Sequence, residues 1–273
     1  MANGNWTLDD VPWSRLEPAN VQSDILAVIK AAALVEVNAL DYAAYLCAVF
    51  SDDPEFQALS RQWAEEEVQH GAALGRWAAL VDPSFDFSAA NARFRAGTRL
   101  PSGADGLSVR GTRCGELVAR CVVEAGTSSF YTAVGDATAE PVLRFLCRRI
   151  AADEFRHYKL FHTHLRRYLD REGLGRARRT LVALGRMVES QDDELACAYH
   201  VANASGEPYD RQRAAGAYER RAFGLYRREH VRRMIAMTAK ACGFSPGAWW
   251  VGAVEGIGWW LIRRRVIRLA KSA

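Results

Sequence analysis

Apolar positions recur at spacings of three and four along most of the chain, the period of a helix that buries one face. From Val21, the series Ile25, Ile29, Ala33, Glu36, Leu40 and Ala44 keeps to one face and predicts a first helix running to a break at Ser51. Asn20 or Ser23 suits its N-cap. Ser51-Asp52-Asp53-Pro54 interrupts the pattern, with Asp52 or Asp53 placed to cap and Pro54 at a first helical position. The second helix, from there to Val81, carries Trp63, Glu67, His70, Leu74 and Trp77 on one stripe, and Asp82-Pro83 stops it. Residues 82–110 are rich in Pro, Gly, Ser and Asn and hold no period, which predicts a long crossover. A third helix from Gly111 aligns Leu117, Cys121, Glu124, Ser128 and Tyr131. Asp136 or Thr138 divides it from a fourth, which starts near Pro141, aligns Ile150, Glu154, His157 and Phe161, and ends at Gly173 and Gly175.

The rest is also helical in period. Residues 176–203 predict a fifth helix (Leu181, Leu184, Met187, Val188, Leu195) and 208–240 a sixth. The sixth is Arg-rich (Arg220, Arg221, Arg227, Arg228, Arg232, Arg233) and reads either as a solvated face or as a surface for an acidic partner. From Phe244 the chain changes character: Trp249, Trp250, Trp259 and Trp260 lie among Gly and Val, followed by Arg263, Arg264, Arg265, Arg268 and Lys271. The apolar part is short and broken by Glu255, so it does not predict a membrane span. It reads either as a helix closing the end of the fold or as an interfacial segment making peripheral membrane contact. No strand alternation persists anywhere.

Composition narrows this little. With 273 residues, 49% hydrophobic and 25% charged, the chain is an ordinary globular sequence long enough for a large core. A net charge of +4 permits acidic partners without demanding nucleic acid. The six cysteines form no C-x-x-C pair and mostly lie in apolar helical contexts, which predicts buried free thiols in a reducing cytosol. No basic stretch followed by an apolar run opens the sequence, so no secretory signal is expected and the expected location is cytoplasmic.

Chemistry enters through two pairs. Glu67-x-x-His70 and Glu154-x-x-His157 each put a carboxylate and an imidazole on one helix face. Of the six histidines only these two have a Glu three residues before them; His162, His164, His200 and His230 read as ordinary helix-face residues. Each pair follows a lone glutamate in an apolar helical context, Glu36 and Glu124, at separations of 31 and 30 residues. That near-equality fits two similar antiparallel hairpins. A Glu from each of two helices and Glu-x-x-His from each of two others is the ligand set of ferritin-like di-iron and di-manganese proteins. Two divalent cations would neutralise four carboxylates that burial alone would leave repelling one another. Carboxylate and imidazole donors suit iron or manganese, and no Cys joins the set. The expectation is an all-α fold: an N-terminal arm over 1–20, a ferritin-like four-helix bundle over 21–172 with its crossover between helices two and three, further helices over 173–243 completing the same domain, and a Trp/Arg-rich helix or tail over 244–273.

The two boxes carry a more specific likeness. Asp153-Glu154-Phe-Arg-His157 and Glu66-Glu67-Val-Gln-His70 resemble the paired acidic-Glu-x-Arg-His boxes of the soluble acyl-acyl-carrier-protein desaturases. Trp63 four residues before Glu67, Gly71 after His70, and Glu124-Ala-Gly-Thr127 are similar to the same family. The likeness covers about residues 30–170; Gln69 stands where the family has Arg, and the C-terminal hundred residues do not align. It implies a di-iron enzyme (or a mixed Mn/Fe one) using O2 and an electron donor such as ferredoxin on an acyl chain. Glu36, Glu67, His70, Glu124, Glu154 and His157 would then be ligands, with Glu67 and Glu154 bridging. Thr127 would handle oxygen and protons, while Asp153 and Trp63 would orient a histidine and link the cluster to the donor.

The leading functional expectation is therefore an O2-dependent non-haem di-iron oxidase, desaturase-like or hydroxylase-like, acting on an acyl chain or other apolar substrate, carrier-bound forms included. Its expected partners are an acyl carrier protein, an electron donor and a second copy in a homodimer. Two alternatives stay open: a di-iron hydroxylase or N-oxygenase of a polar metabolite or tRNA, and a non-catalytic ferritin-like protein that binds or oxidises iron.

Overall fold

A computed structural model describes residues 6–98, 106–189, 193–204 and 206–271, and among them every regular element is helical. The first five residues of the arm, 99–105 of the crossover, 190–192 of the predicted fifth helix and the last two residues lie outside this description, as does the Val188 side chain. After three short 3-10 turns come α1 (Ser23–Glu36), α2 (Ala39–Val49), α3 (Pro54–Val81), α4 (Phe87–Gly97), α5 (Arg113–Ala137) and α6 (Pro141–Glu172). They are followed by α7 (Arg176–Glu189), α8 (Asp193–Asn203), α9 (Arg211–Gly224), α10 (Arg228–Ala241) and α11 (Trp249–Lys271).

Local chemistry sets the ends of the long helices. Asp53 caps α3, its carboxylate accepting from the Phe56 amide at 3.1 Å with Pro54 at the first position. The cap of α6 is Glu140, not Asp136 or Thr138. Its carboxylate accepts from the Val142 and Leu143 amides at 3.1 and 2.6 Å and from the Trp77 indole at 2.8 Å, tying the start of α6 to α3. Gly173 ends α6 in the left-handed conformation, φ 71°.

Four predicted stretches divide differently. The first helix breaks at Val37-Asn38, directly after Glu36, and α1 begins at Ser23 behind Gln22, which makes no side-chain cap. The break lies against α3. A Cβ on Gly71 would stand 2.5 Å from Val37 Cγ1 and 2.9 Å from the Ala33 carbonyl, so the bare glycine lets the end of α1 press against α3 there. The crossover contains a helix of its own, α4, capped by Asp86. The fifth and sixth helices are each two. At the α9–α10 break, His230 Nδ1 accepts from the Arg227 amide at 3.0 Å while Nε2 meets Asp136 at 3.0 Å. His230 is thus buried and pins the start of α10 to α5, rather than standing on an open helix face.

α1 and α2 pack on α3, α5 packs along α6 after the turn at 138–140, and α3 meets α6. α8 and α9 cover α1, α7 and α10 cover α5, and α11 lies on α9 and α10. The buried apolar residues form two cores. One holds Leu34, Leu74, Trp77, Val134 and Leu146; the other holds Leu46, Phe56, Leu117, Phe161 and Tyr168. Trp6 and Val11 are buried in the first, so the arm is built into the fold rather than merely laid over it. Along α3 the first core uses residues 73–78 and the second 56–64; along α6 they use 142–151 and 158–168. What lies between them is polar.

Candidate metal centre

The polar layer is made of the residues the helical period put in phase. Glu67 and His70 come from the middle of α3, Glu124 from the middle of α5, and Glu154 and His157 from the middle of α6. Glu36 is the last residue of α1, delivered by the close approach at Gly71. All six are buried. Their donor atoms form two groups, Glu36, Glu67, His70 and Glu154 in one and Glu67, Glu124, Glu154 and His157 in the other. Within each group the atoms lie within 4.8 Å of one another, and Glu67 and Glu154 belong to both. Each group could hold a metal ion.

The histidines are oriented crosswise. Asp153, which precedes Glu154 on α6, reaches His70 of α3, with Oδ2 3.1 Å from Nε2. Glu66, which precedes Glu67 on α3, reaches His157 of α6, with Oε2 2.8 Å from Nε2. Each box thus supplies the carboxylate that fixes the other box's imidazole and leaves its Nδ1 turned to the cluster. Arg156 ties the two acids together at 2.5 Å to each. Trp6 donates its indole N–H to Asp153 Oδ2 at 2.7 Å and lies parallel to His70, ring centroids 6.1 Å apart. Gln69 donates to the Trp6 carbonyl at 2.8 Å and so holds it there. Trp63 is placed elsewhere. It packs edge-on against Phe161 in the second core, and its buried indole N–H has no hydrogen-bond partner.

The electrostatics are those of four carboxylates and two imidazoles crowded in a buried layer. Burial pushes the Glu36 and Glu124 carboxyls well above the ordinary range, and the neighbouring Glu67 and Glu154 push the same way. Burial would also raise Glu67, but His157 and His70 outweigh it and hold that carboxyl well below its usual value. Burial lowers both imidazoles, yet the carboxylates win: His70 rises well above its ordinary value through Asp153, Glu154 and Glu67, and His157 to about 9 through Glu67 and Glu66.

Whether the donor set suits a cation is decided by its loose ends. Glu124 Oε1, Glu154 Oε1 and His157 Nδ1 are buried and make no hydrogen bond. His157 Nδ1 lies 3.0 Å from Glu67 Oε1, a charge contact without hydrogen-bond alignment. A buried polar atom left unpaired costs about 1–3 kcal/mol. Three such atoms in one cluster, all from the two groups, are lone pairs that a divalent ion would satisfy together.

On the α1–α5 side the cluster borders a cavity of about 250 Å³. Glu36 and Thr127 line it on the cluster side, and Val35, Gly126, Phe130, Ala215 and Phe223 are among its other lining residues. Its acids are already engaged: Glu189 with Arg110 at 2.5 Å, Glu194 with Tyr42 at 2.7 Å, and Glu219 with Arg265 at 2.7 Å. Thr127 donates its hydroxyl to Glu154 Oε2 at 2.7 Å, and Tyr131 donates to Glu36. A second, polar cleft of about 220 Å³ lies by Trp6, Glu65, Glu66, Gln69 and Arg156.

No known protein-family model and no curated protein matches the chain. Three residues at this site were not singled out by the sequence reading: Glu66, Trp6 and Tyr131. For Glu66 a signal existed, because both boxes carry an acid immediately before the glutamate. For Tyr131 the signal was weaker, a phenol two turns after Glu124 on the same stripe. Trp6, in an aperiodic arm, offered none.

Proposed function

We propose that this protein is an O2-dependent non-haem di-iron oxidase acting on a compact apolar substrate. The reading takes α1–α2, α3, α5 and α6 as a ferritin-like four-helix bundle. The observation that carries it is the pair of buried donor groups sharing Glu67 and Glu154, with their unpaired atoms, beside an apolar cavity. Glu36 and His70 would hold one ion, Glu124 and His157 the other, and Glu67 and Glu154 both. Carboxylate and imidazole donors suit iron or manganese. Two iron ions held there would supply the activation of O2 and accept the electrons of the oxidation.

The surrounding residues have separable roles. Asp153 and Glu66 fix the imidazole planes and tautomers. Thr127 holds a proton on Glu154 Oε2 at the cavity wall, where substrate and cluster would meet. Trp6, Asp153 and His70 form a hydrogen-bonded chain from the polar cleft inward, a route for electrons from a ferredoxin-type donor. The cavity is lined mainly by apolar side chains, which favours an apolar substrate. A 150 Å³ apolar cavity takes benzene, so this one takes roughly ten non-hydrogen atoms. That favours a short chain or a single ring over a full-length acyl chain. Because the acids lining it are already bonded, it disfavours a polar metabolite.

The test pairs metal analysis with a cavity variant. Full-length protein loaded anaerobically with ferrous iron should hold two ions per chain, and Glu154→Ala should lose both. Retention of two ions by Glu154→Ala would remove the assignment. A Cβ on Gly126 meets nothing within 4 Å, so Gly126→Leu should fill the cavity without disturbing the metals. Reductant-dependent O2 uptake stimulated by short acyl thioesters or small aromatics should then vanish while iron content stays. Stimulation that survives Gly126→Leu would place the substrate elsewhere.

A further inference from the structure

α11 turns a face outward that the rest of the described chain leaves open. Trp249, Ile257, Trp260, Arg264, Ile267 and Lys271 are all exposed. At 100° per residue they fall within an arc of about 80°. The exposure is large for such side chains: Trp249 86%, Ile257 59% and Trp260 54%. The opposite side is anchored. Val251 is buried, Gly258 faces Ile235 of α10, Gly216 of α9 meets Leu269, and Arg265 pairs with Glu219 of α9 at 2.7 Å. The open face is therefore held out by packing rather than by a frayed terminus.

Its charge is one-sided. From Phe244 on the sole acid is Glu255, which is engaged by Arg228 at 2.8 Å and approached by Arg232 at 3.9 Å. The bases gather in the C-terminal half, where Arg263 lies over Trp259 and Arg264 over Trp260, at 5.8 and 5.0 Å from the ring centroids. Aromatic and aliphatic side chains in one half and bases in the other, on one face, match a bilayer surface in depth and charge: rings at the acyl boundary, guanidinium groups at phosphates. Among the described residues no helix is long and apolar enough to cross a membrane, so contact would be along the surface. A second copy fits less well, because the face offers no acid to meet another copy's arginines.

We propose that α11 docks this protein on bilayers carrying anionic lipids, with Trp249, Ile257 and Trp260 entering the acyl boundary and Arg263, Arg264 and Lys271 contacting headgroup phosphates. The inference is independent of the metal centre. α11 also packs on α9, whose Ala215, Glu219 and Phe223 line the cavity, so docking would leave that wall one helix away from the lipid.

The experiment is flotation of the full-length protein with vesicles of phosphatidylcholine alone or with added phosphatidylglycerol. Binding should require the anionic lipid and weaken as salt is raised. Each base near an anionic surface strengthens binding roughly fivefold. The double reversal Arg264→Glu with Lys271→Glu should therefore weaken it by on the order of a hundredfold or more. Trp249→Ser with Trp260→Ser should lower binding without removing its salt dependence. All four side chains are exposed, so thermal stability and iron content should not change and will show that the variants are folded. Equal binding to neutral vesicles, or undiminished binding by the Glu variant, overturns the proposal. So does a wild-type dimer that Ile257→Asp dissociates while vesicle binding is absent.

Discussion

In metal-free form the protein should lose stability as pH rises from about 6.5 to about 8.5, and His157 sets the size of the loss. The buried imidazole is held from 6.5 up to about 9 because Glu67, Glu66 and Glu154 outweigh desolvation. A raised value means that the folded state keeps a proton the unfolded chain releases. The stabilisation is complete below the unfolded value and fades as pH climbs through the folded one. A tenfold change in proton affinity is about 1.4 kcal/mol, so this window removes about 2 kcal/mol through His157 alone. His70, Glu36 and Glu124 are raised as well and act in the same sense. Glu67 is lowered, so its contribution falls in acid, outside the window. Urea titration of chelator-stripped protein at the two pH values measures the difference, and His157→Gln should flatten it by about 2 kcal/mol. Metal reverses the sign, because loading must expel the same protons and apparent affinity should rise across the window. A metal-free stability that is flat or rising with pH, or an unchanged slope in His157→Gln, would refute the reasoning.

Three further outcomes follow from single contacts. Gly71→Ala forces a Cβ to within 3.0 Å of Val37 and the Ala33 carbonyl, so it should cost about 1–3 kcal/mol in thermal unfolding and weaken the metal at Glu36 more than the one at Glu124. Asp153→Asn and Glu66→Gln each remove the carboxylate behind one imidazole, and each should lower metal affinity about 10–100-fold by competition with a fluorescent chelator. Trp6→Phe removes the indole donor to Asp153, and stopped-flow reduction by a protein donor should slow while the number of bound ions stays at that of the parent.

The convergence of Glu36, Glu67, His70, Glu124, Glu154 and His157 was legible because it depends only on helical phase. An i, i+3 pair shares a face whatever the tertiary structure, and matched separations bring two hairpins to the same level. What the phase could not carry is contact between helices. Glu66 and Asp153 point about 100° away from the neighbouring ligand, and only the distance between α3 and α6 decides that each reaches the other's histidine. The break after Glu36 was invisible for a similar reason. Val37-Asn38 contains no Gly or Pro, and the residue it packs against, Gly71, lies on another helix. The likeness to the desaturases gave Trp63 a part in linking the cluster to its donor, yet the tryptophan bonded to Asp153 is Trp6, from a stretch without period. The cavity depended on α7 to α10, whose division into four helices the continuous helical period concealed.

The position of the cluster between two cores explains how one chain can keep so much buried charge. Had the carboxylates faced a single core, removing the metal would leave them to expand or hydrate it. Here the helices that carry them are fastened on both sides of the layer. Above it Glu140 binds the start of α6 and the Trp77 indole of α3; below it Asp53, the cap of α3, accepts from Tyr168 and Arg167 of α6. Capping and apolar packing on both sides thus support the α3–α6 separation that lets Asp153 reach His70 and Glu66 reach His157. In the metal-free state protons take the place of the ions: imidazolium faces carboxylate, and Glu36 and Glu124 are driven towards the neutral acid. Metal binding would then exchange protons for cations, and on the proposed oxidase reading the two cores would hold the helices in place as the charge of the centre changed.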